Sequence, residues 1–198
     1  MQRLILSSTS KPRQELLRRL QIPFEITAPD VDETPLANET PTELVLRLAE
    51  KKARVVAEKF PDALIIGADQ VGVLANVILC KPLNYENAIA QLKLMGGRRV
   101  EFLIGLCLLN AKNNSVETVL EKFAVKFRPL TSEMIETYLQ KEQPLQCTGS
   151  FRAEGLGIAL VEEFDGKDFT ALIGLPLVRL TTLLENVGFG PLVNRAAN

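Results

Sequence analysis

Apolar and polar positions alternate along the chain with two distinct periods. Residues 4–6 (Leu-Ile-Leu) are apolar on both faces and predict a first, buried strand. Ser10 then predicts a cap for a helix over 11–20, whose apolar face is Leu16, Leu17 and Leu20. Residues 24–27 predict a short second strand. Thr40-Pro41-Thr42-Glu43 combines a capping box with proline at the first helical position. The helix that follows carries Leu44, Leu48, Val56 and Phe60 on or near one face, and Pro61 stops it. Residues 64–66 (Leu-Ile-Ile) predict a central strand that delivers Gly67-Ala68-Asp69-Gln70 at its carboxyl end.

The second half repeats the mixture. Asn84 caps a helix running to about Met95, which Gly96-Gly97 ends. Two β-rich runs, 100–109 and 116–127, are joined at Lys112-Asn113-Asn114-Ser115 as a hairpin. Thr131 or Ser132 caps a helix to about Lys141, residues 157–164 read as a strand, and 177–187 as a last helix closed by Gly188. Helices interleaved with a long hairpin predict an α/β fold on one mixed sheet.

Composition narrows the function. The chain has 198 residues and a formal net charge of -1, so it offers no general attraction to a polyanion, and a nucleic-acid partner is not expected. No apolar stretch reaches spanning length, so a membrane is not expected either. Cys80, Cys107 and Cys147 are too widely spaced for a zinc site or disulfide framework, which fits a reducing compartment. Histidine is absent. Any proton transfer must therefore use a carboxylate, lysine, tyrosine, cysteine or metal-bound water, and histidine triads are excluded.

Candidate chemistry gathers at four places. The first strand runs into Ser7-Ser8-Thr9-Ser10 and a helix start bearing Lys11 and Arg13; free N–H groups there suit phosphate, although a capped helix with solvated charges explains the same pattern. Asp30, Asp32 and Glu33 lie on an acidic loop between Pro29 and Pro35, and Asp69 ends an apolar strand, where α/β sheets bind ligands. Two such carboxylates could hold a divalent ion. Lys81, before Pro82, could neutralise phosphate charge, or be an ordinary surface lysine. The stretch 147–157 is rich in glycine and hydroxyls and carries Glu154, which could accept hydrogen bonds from a base edge. Phe123, Phe127 and Phe151 read as core, and the cysteines as small buried hydrophobes.

Taken in order, 4–10, 29–35, 44–49, 66–70, Lys81-Pro82, 149–158 and 172–177 resemble the Maf family, over nearly the whole chain. They are most similar to its branch that acts on 7-methyl-GTP. The resemblance implies a single Maf-like domain over 1–198 with an ITPase-like α/β fold: a mixed twisted sheet, flanking helices, and two lobes around a central cleft. It implies a nucleotide diphosphatase that splits the α–β phosphate bond of 7-methyl-GTP into 7-methyl-GMP and diphosphate, clearing modified nucleotides from the pool in the cytoplasm. It implies a divalent cation, Mg2+ or Mn2+, held at Glu33 and Asp69, and often a homodimer. Asp69 is then the proton acceptor, with Glu33 and Lys81 beside it. Ser8, Ser10 and Arg13 contact phosphate, while Pro12, Gln70 and Glu154 set base preference. Gln70 and Glu154 match the methylated-GTP branch, and a carboxylate at 154 complements the cationic base. The chain departs from the family pattern at Lys11, Gln14, Cys80, Ile104 and Arg152. The departures at Lys11, Gln14, Cys80 and Ile104 favour one alternative, a weakly active nucleotide-binding regulator; the other is a pyrophosphatase for another nucleotide such as dTTP or UTP.

Overall fold

A computed structural model describes residues 2–75 and 77–192. The single-domain expectation over 1–198 also takes in Met1, Asn76 and 193–198, which lie outside the described residues. In order, the elements are β1 (Leu4–Ser7), α1 (Lys11–Arg18), β2 (Glu25–Thr27), α2 (Pro41–Ala57), β3 (Leu64–Leu74), β4 (Val77–Leu79), α3 (Tyr85–Met95), β5 (Arg99–Asn110), β6 (Ser115–Phe127), α4 (Ser132–Glu142), β7 (Val161–Gly166), α5 (Phe169–Ile173) and α6 (Leu177–Asn186). Short 3-10 turns cover Thr148–Ser150 and Leu156–Leu160. Among the described residues seven strands form one mixed sheet, ordered β2-β1-β3-β5-β6-β7, with β4 paired to β3 off that path. This is the expected α/β class.

The chain divides into two compact units. The first comprises residues up to Asp69, Ile104–Glu121 and the segment from Gly174. Here β1 pairs in parallel with both β2 and β3, in the register Leu4↔Leu64 to Ser7↔Gly67. Ile5 and Ile65 pack with Ala49, Ala53 and Val56 of α2 and with Cys107 and Leu109 of β5. Helix α2 begins as its sequence predicts: Thr40 accepts from the Glu43 amide, and the Glu43 carboxylate reaches back to the Thr40 amide. It lies so close to the sheet that a Cβ on Gly67 would stand 2.1 Å from the Ala49 carbonyl oxygen. Gly67 is therefore a contact surface for the helix.

The second unit comprises Gln70–Leu103 and Lys122–Ile173. Its core is aromatic. Phe151 stacks edge-on against Phe127 at 5.0 Å and tilts against Phe102 at 5.9 Å, while Phe123, Phe164 and Phe169 form a second edge-to-face group. Asn84 and Thr131 cap α3 and α4 through their side chains.

Four expectations need correction. Strand β3 does not stop near Gly67 but continues to Leu74, because its second half gains β4 as an antiparallel partner, Gly72↔Leu79 to Leu74↔Val77. Asp69 thus lies within a strand; what ends nearby is the parallel pairing with β1, at Ser7↔Gly67. Ser10 occupies the N-cap position of α1 but makes no side-chain cap bond, and its own amide donates to Ser8 Oγ at 3.1 Å. The stretch 157–164 is not one strand: a 3-10 turn holds it until Val161, where pairing with β6 begins. Helix α1 ends at Arg18, short of Leu20.

Candidate active site

In the first unit, one lysine organises the polar residues. The stripe of α2 that faces the sheet runs through Leu44, Leu48, Lys52 and Val56, all buried. Lys52 is therefore carried into the interior by the same periodicity that buries its neighbours. Its Nζ lies 2.6 Å from Asp69 Oδ1 and 2.7 Å from Glu33 Oε1. Asp69 is almost as buried as Lys52, whereas the Glu33 side chain is half exposed. The Lys52 carbonyl also accepts from Ser7 Oγ at 2.7 Å, which ties the end of β1 to the same turn of α2.

The acidic loop is held against α2. Lys51 Nζ donates to the Asp32 carbonyl at 3.0 Å, and Arg47 Nη2 to the Thr34 carbonyl at 3.2 Å. Asp32 accepts from the Thr34 amide, and the Thr34 bonds hold its carboxyl below the usual range. The loop is thus fixed by three successive cationic contacts, and Glu33 is the member that turns inward.

Arg13, in the first turn of α1, donates Nε to the Gly174 carbonyl and Nη1 to the Ala68 carbonyl, each at 2.8 Å. It braces the residue immediately before Asp69. Burial pulls its guanidinium below the ordinary value, while the charges on Asp69 and Glu33 act in the opposite sense. Pro12 stands at the second helical position, where no amide donor is needed. Ser8 is buried and serves as acceptor for the Ser10 amide.

The structure thus brings together Arg13, Glu33 and Asp69 from the sequence-derived candidates. It adds Lys52, which sequence reasoning passed over. Two carboxylates that both reach one ammonium lie close together, and the Lys52 ammonium fills the point between them. Mg2+ commonly takes one or two carboxylates and completes its shell with water and substrate phosphate. Among the described residues no group of three or more His, Cys, Asp or Glu forms a metal site. The donor set therefore fits an ion shared with a phosphate ligand and does not fit an all-protein cage. Glu33 and Asp69 are the residues that could hold it.

Gln70, Lys81 and Glu154 belong to the second unit. Gln70 Nε2 donates to the Leu172 carbonyl at 2.9 Å. The Cys80-Lys81-Pro82 segment is fixed by its backbone: the Cys80 carbonyl accepts from the Gly149 amide and Gln91 Nε2, and the Pro82 carbonyl from Asn87 Nδ2. Lys81 itself is exposed, and no ion pair engages it among the described residues. Cys80 is not among the residues with positive φ, so a cysteine there carries no backbone strain. Glu154 accepts from Arg152 Nε at 3.1 Å. Burial pushes the Cys147 thiol up to about 11, and the charges on Glu154, Arg152, Glu142 and Lys81 all act on it.

Residues 3–187 match the family model described as Maf-like protein. The chain is 57% identical over 186 residues to the 7-methyl-GTP pyrophosphatase of Nitrosococcus oceani, covering 94% of each. It is 52% identical over 185 residues to the protein of that name from Methylobacillus flagellatus, covering 93% of this chain and 96% of the relative. The corresponding protein of Nitrosospira multiformis is 52% identical over 187 residues, 94% of each.

Proposed function

The chain belongs to the Maf family, and from that premise we propose that it is a nucleotide diphosphatase that cleaves 7-methyl-GTP to 7-methyl-GMP and diphosphate. The observation that carries the reading is the convergence of Asp69 and Glu33 on Lys52, in a chain whose relatives at 52–57% identity are 7-methyl-GTP pyrophosphatases. Water adds across the α–β anhydride, that bond breaks, and the departing oxygen leaves on diphosphate. Asp69 takes the proton from the attacking water. Lys52 donates to its Oδ1 and so orients the carboxylate. Arg13 holds the backbone on which Asp69 stands, and the amides at the start of α1, with Ser8 and Ser10, supply donors to phosphate. The family resemblance assigns to Lys81 the neutralising of phosphate charge.

Glu33 and Asp69 would hold Mg2+ or Mn2+, whose chemistry is to neutralise the phosphate oxygens. Gln70 and Glu154 supply base preference. The unstrained backbone at Cys80 supports retained activity over a binding-only role, since the departure from the family pattern there costs no conformation. No helix among the described residues is long and apolar enough to cross a membrane. The three widely spaced cysteines fit a reducing compartment, which supports the cytoplasm as the place of work.

The test offers 7-methyl-GTP, GTP, dTTP and UTP to the purified protein with Mg2+ or Mn2+ and measures diphosphate release. Turnover of the methylated nucleotide that Asp69→Asn abolishes is the expected result. Release of orthophosphate, or full activity in Asp69→Asn, would overturn the reading.

A further inference from the structure

The segment that carries Glu154 is pinned by α4 through two side chains one helical turn apart. Tyr138 donates its hydroxyl hydrogen to the Ser150 carbonyl at 3.2 Å and accepts from the Arg152 amide at 3.0 Å. Glu142 accepts from Arg152 Nη1 at 2.9 Å and from the Leu156 amide at 2.6 Å. Phe151, between those anchors, is locked in the aromatic core. A Cβ on Gly155 would stand 2.7 Å from Glu142 Oε1, so glycine at 155 is what admits the Glu142 carboxylate to the loop.

One guanidinium is therefore shared between two carboxylates, Glu142 and Glu154. Glu142 is the more enclosed of the two, with 12% of its side chain exposed against 23% for Glu154. The arithmetic of charge decides what a ligand meets there. Arg152 paired with Glu154 alone is neutral and offers a cationic ring little. The second carboxylate restores one net negative charge to the group. A base bearing a delocalised positive charge gains from that charge; a neutral base of the same shape does not.

We propose that Glu142 is a positioning and specificity-setting residue: by engaging Arg152, it keeps net negative charge at Glu154 and so favours a nucleotide with a cationic base over its neutral counterpart. The proposal rests on the reading of Glu154 as the residue that meets the base.

The experiment measures kcat/KM for 7-methyl-GTP and for GTP in the wild type, Glu142→Gln and Arg152→Gln, at low and high salt. Glu142→Gln is expected to lower the 7-methyl-GTP to GTP ratio by about fivefold, and Arg152→Gln to raise it by a similar factor, both shrinking at high salt. A purely structural role for the loop would lower both substrates together and leave the ratio in place. If the wild type prefers 7-methyl-GTP but the ratio is unmoved in both variants, or moves the same way in both, the proposal is overturned and the assigned function stands. If the wild type shows no preference, the substrate reading and this proposal fail together. Should Glu142→Gln not fold, Arg152→Gln alone decides: a rise supports the proposal and an unchanged ratio overturns it.

Discussion

Replacing Lys52 by methionine removes a charge from inside the first unit while keeping an unbranched stem of similar reach. Lys52 has two partners of unequal standing. The Glu33 side chain is 55% exposed, so its bond to Lys52 is one that water can replace, a contribution of about 1 kcal/mol or less. The Asp69 side chain is 10% exposed, and without Lys52 its carboxylate is stranded. Removing one member of a buried pair costs about 3–5 kcal/mol. A flexible methionine fills much of the vacated space, so the cavity adds little. The expected loss is about 3–4 kcal/mol, or a fall in Tm of about 6–16 °C for a chain of this size. Asp69→Asn should cost less, about 1–2 kcal/mol, because Lys52 keeps Glu33 as its counter-ion. The double variant should be more stable than the sum of the single losses predicts, by about 1–3 kcal/mol. Urea unfolding followed by circular dichroism is the assay, since the chain has no tryptophan to report by fluorescence. A loss below about 1 kcal/mol for Lys52→Met, or strict additivity in the double variant, would refute the argument that the two charges are mutually dependent.

Three further outcomes follow from the geometry. Gly67→Ala should cost about 3 kcal/mol or more, because its methyl group meets the Ala49 carbonyl at 2.1 Å and α2 must lift; an unchanged urea midpoint would show that the helix is not pressed on the strand. Thiol labelling of the native protein near pH 8 should modify one cysteine quickly, the exposed Cys80, because burial pushes Cys107 and Cys147 up to about 11; three equal rates before unfolding would contradict this. The Arg47 fork holds the Glu39 carboxyl down to about 2 from an ordinary value of 4.5. Because the folded value is the lower one, its stabilisation is fully present above the unfolded value and fades as pH falls from about 4.5 toward 2. The stability gap between wild type and Arg47→Gln should therefore close over that window, and a gap that persists at pH 2 would contradict the assignment.

The parts of the site that were legible in the sequence are those whose cause is local. The capping box at Thr40 and Glu43 needs only three residues of spacing, and both of its bonds form. The apolar run 64–66 announces a strand buried on both faces, and that strand leads into Asp69. Its length was not legible: the apolar run stops at Ile66, yet pairing with the three-residue β4 carries the strand on through Gly67, Asp69 and Gln70. The strand expected from Gly157 failed for the same reason, since an apolar run says nothing about which partner is within reach.

Lys52 marks the boundary between the two cases. Its position is written in the helix period, midway between Leu48 and Val56 on the apolar stripe. A lysine at such a position ordinarily turns its ammonium outward to water. Here the sheet closes that route, and the charge survives burial because Asp69 and Glu33 reach it from a strand and a loop. Charged side chains are almost never fully buried without a partner. A cation on an apolar stripe is therefore a request for an anion elsewhere in the chain, and here the acidic loop and the carboxylate of β3 answer it. The Glu142–Arg152–Glu154 group gives no such warning, because each residue alone reads as a solvated surface charge. Only the 3-10 turn after Glu154 and the missing side chain of Gly155 bring them together. Selectivity built from charges that only a turn brings together is thus hidden from a sequence in a way that a buried ion pair on a helix stripe is not.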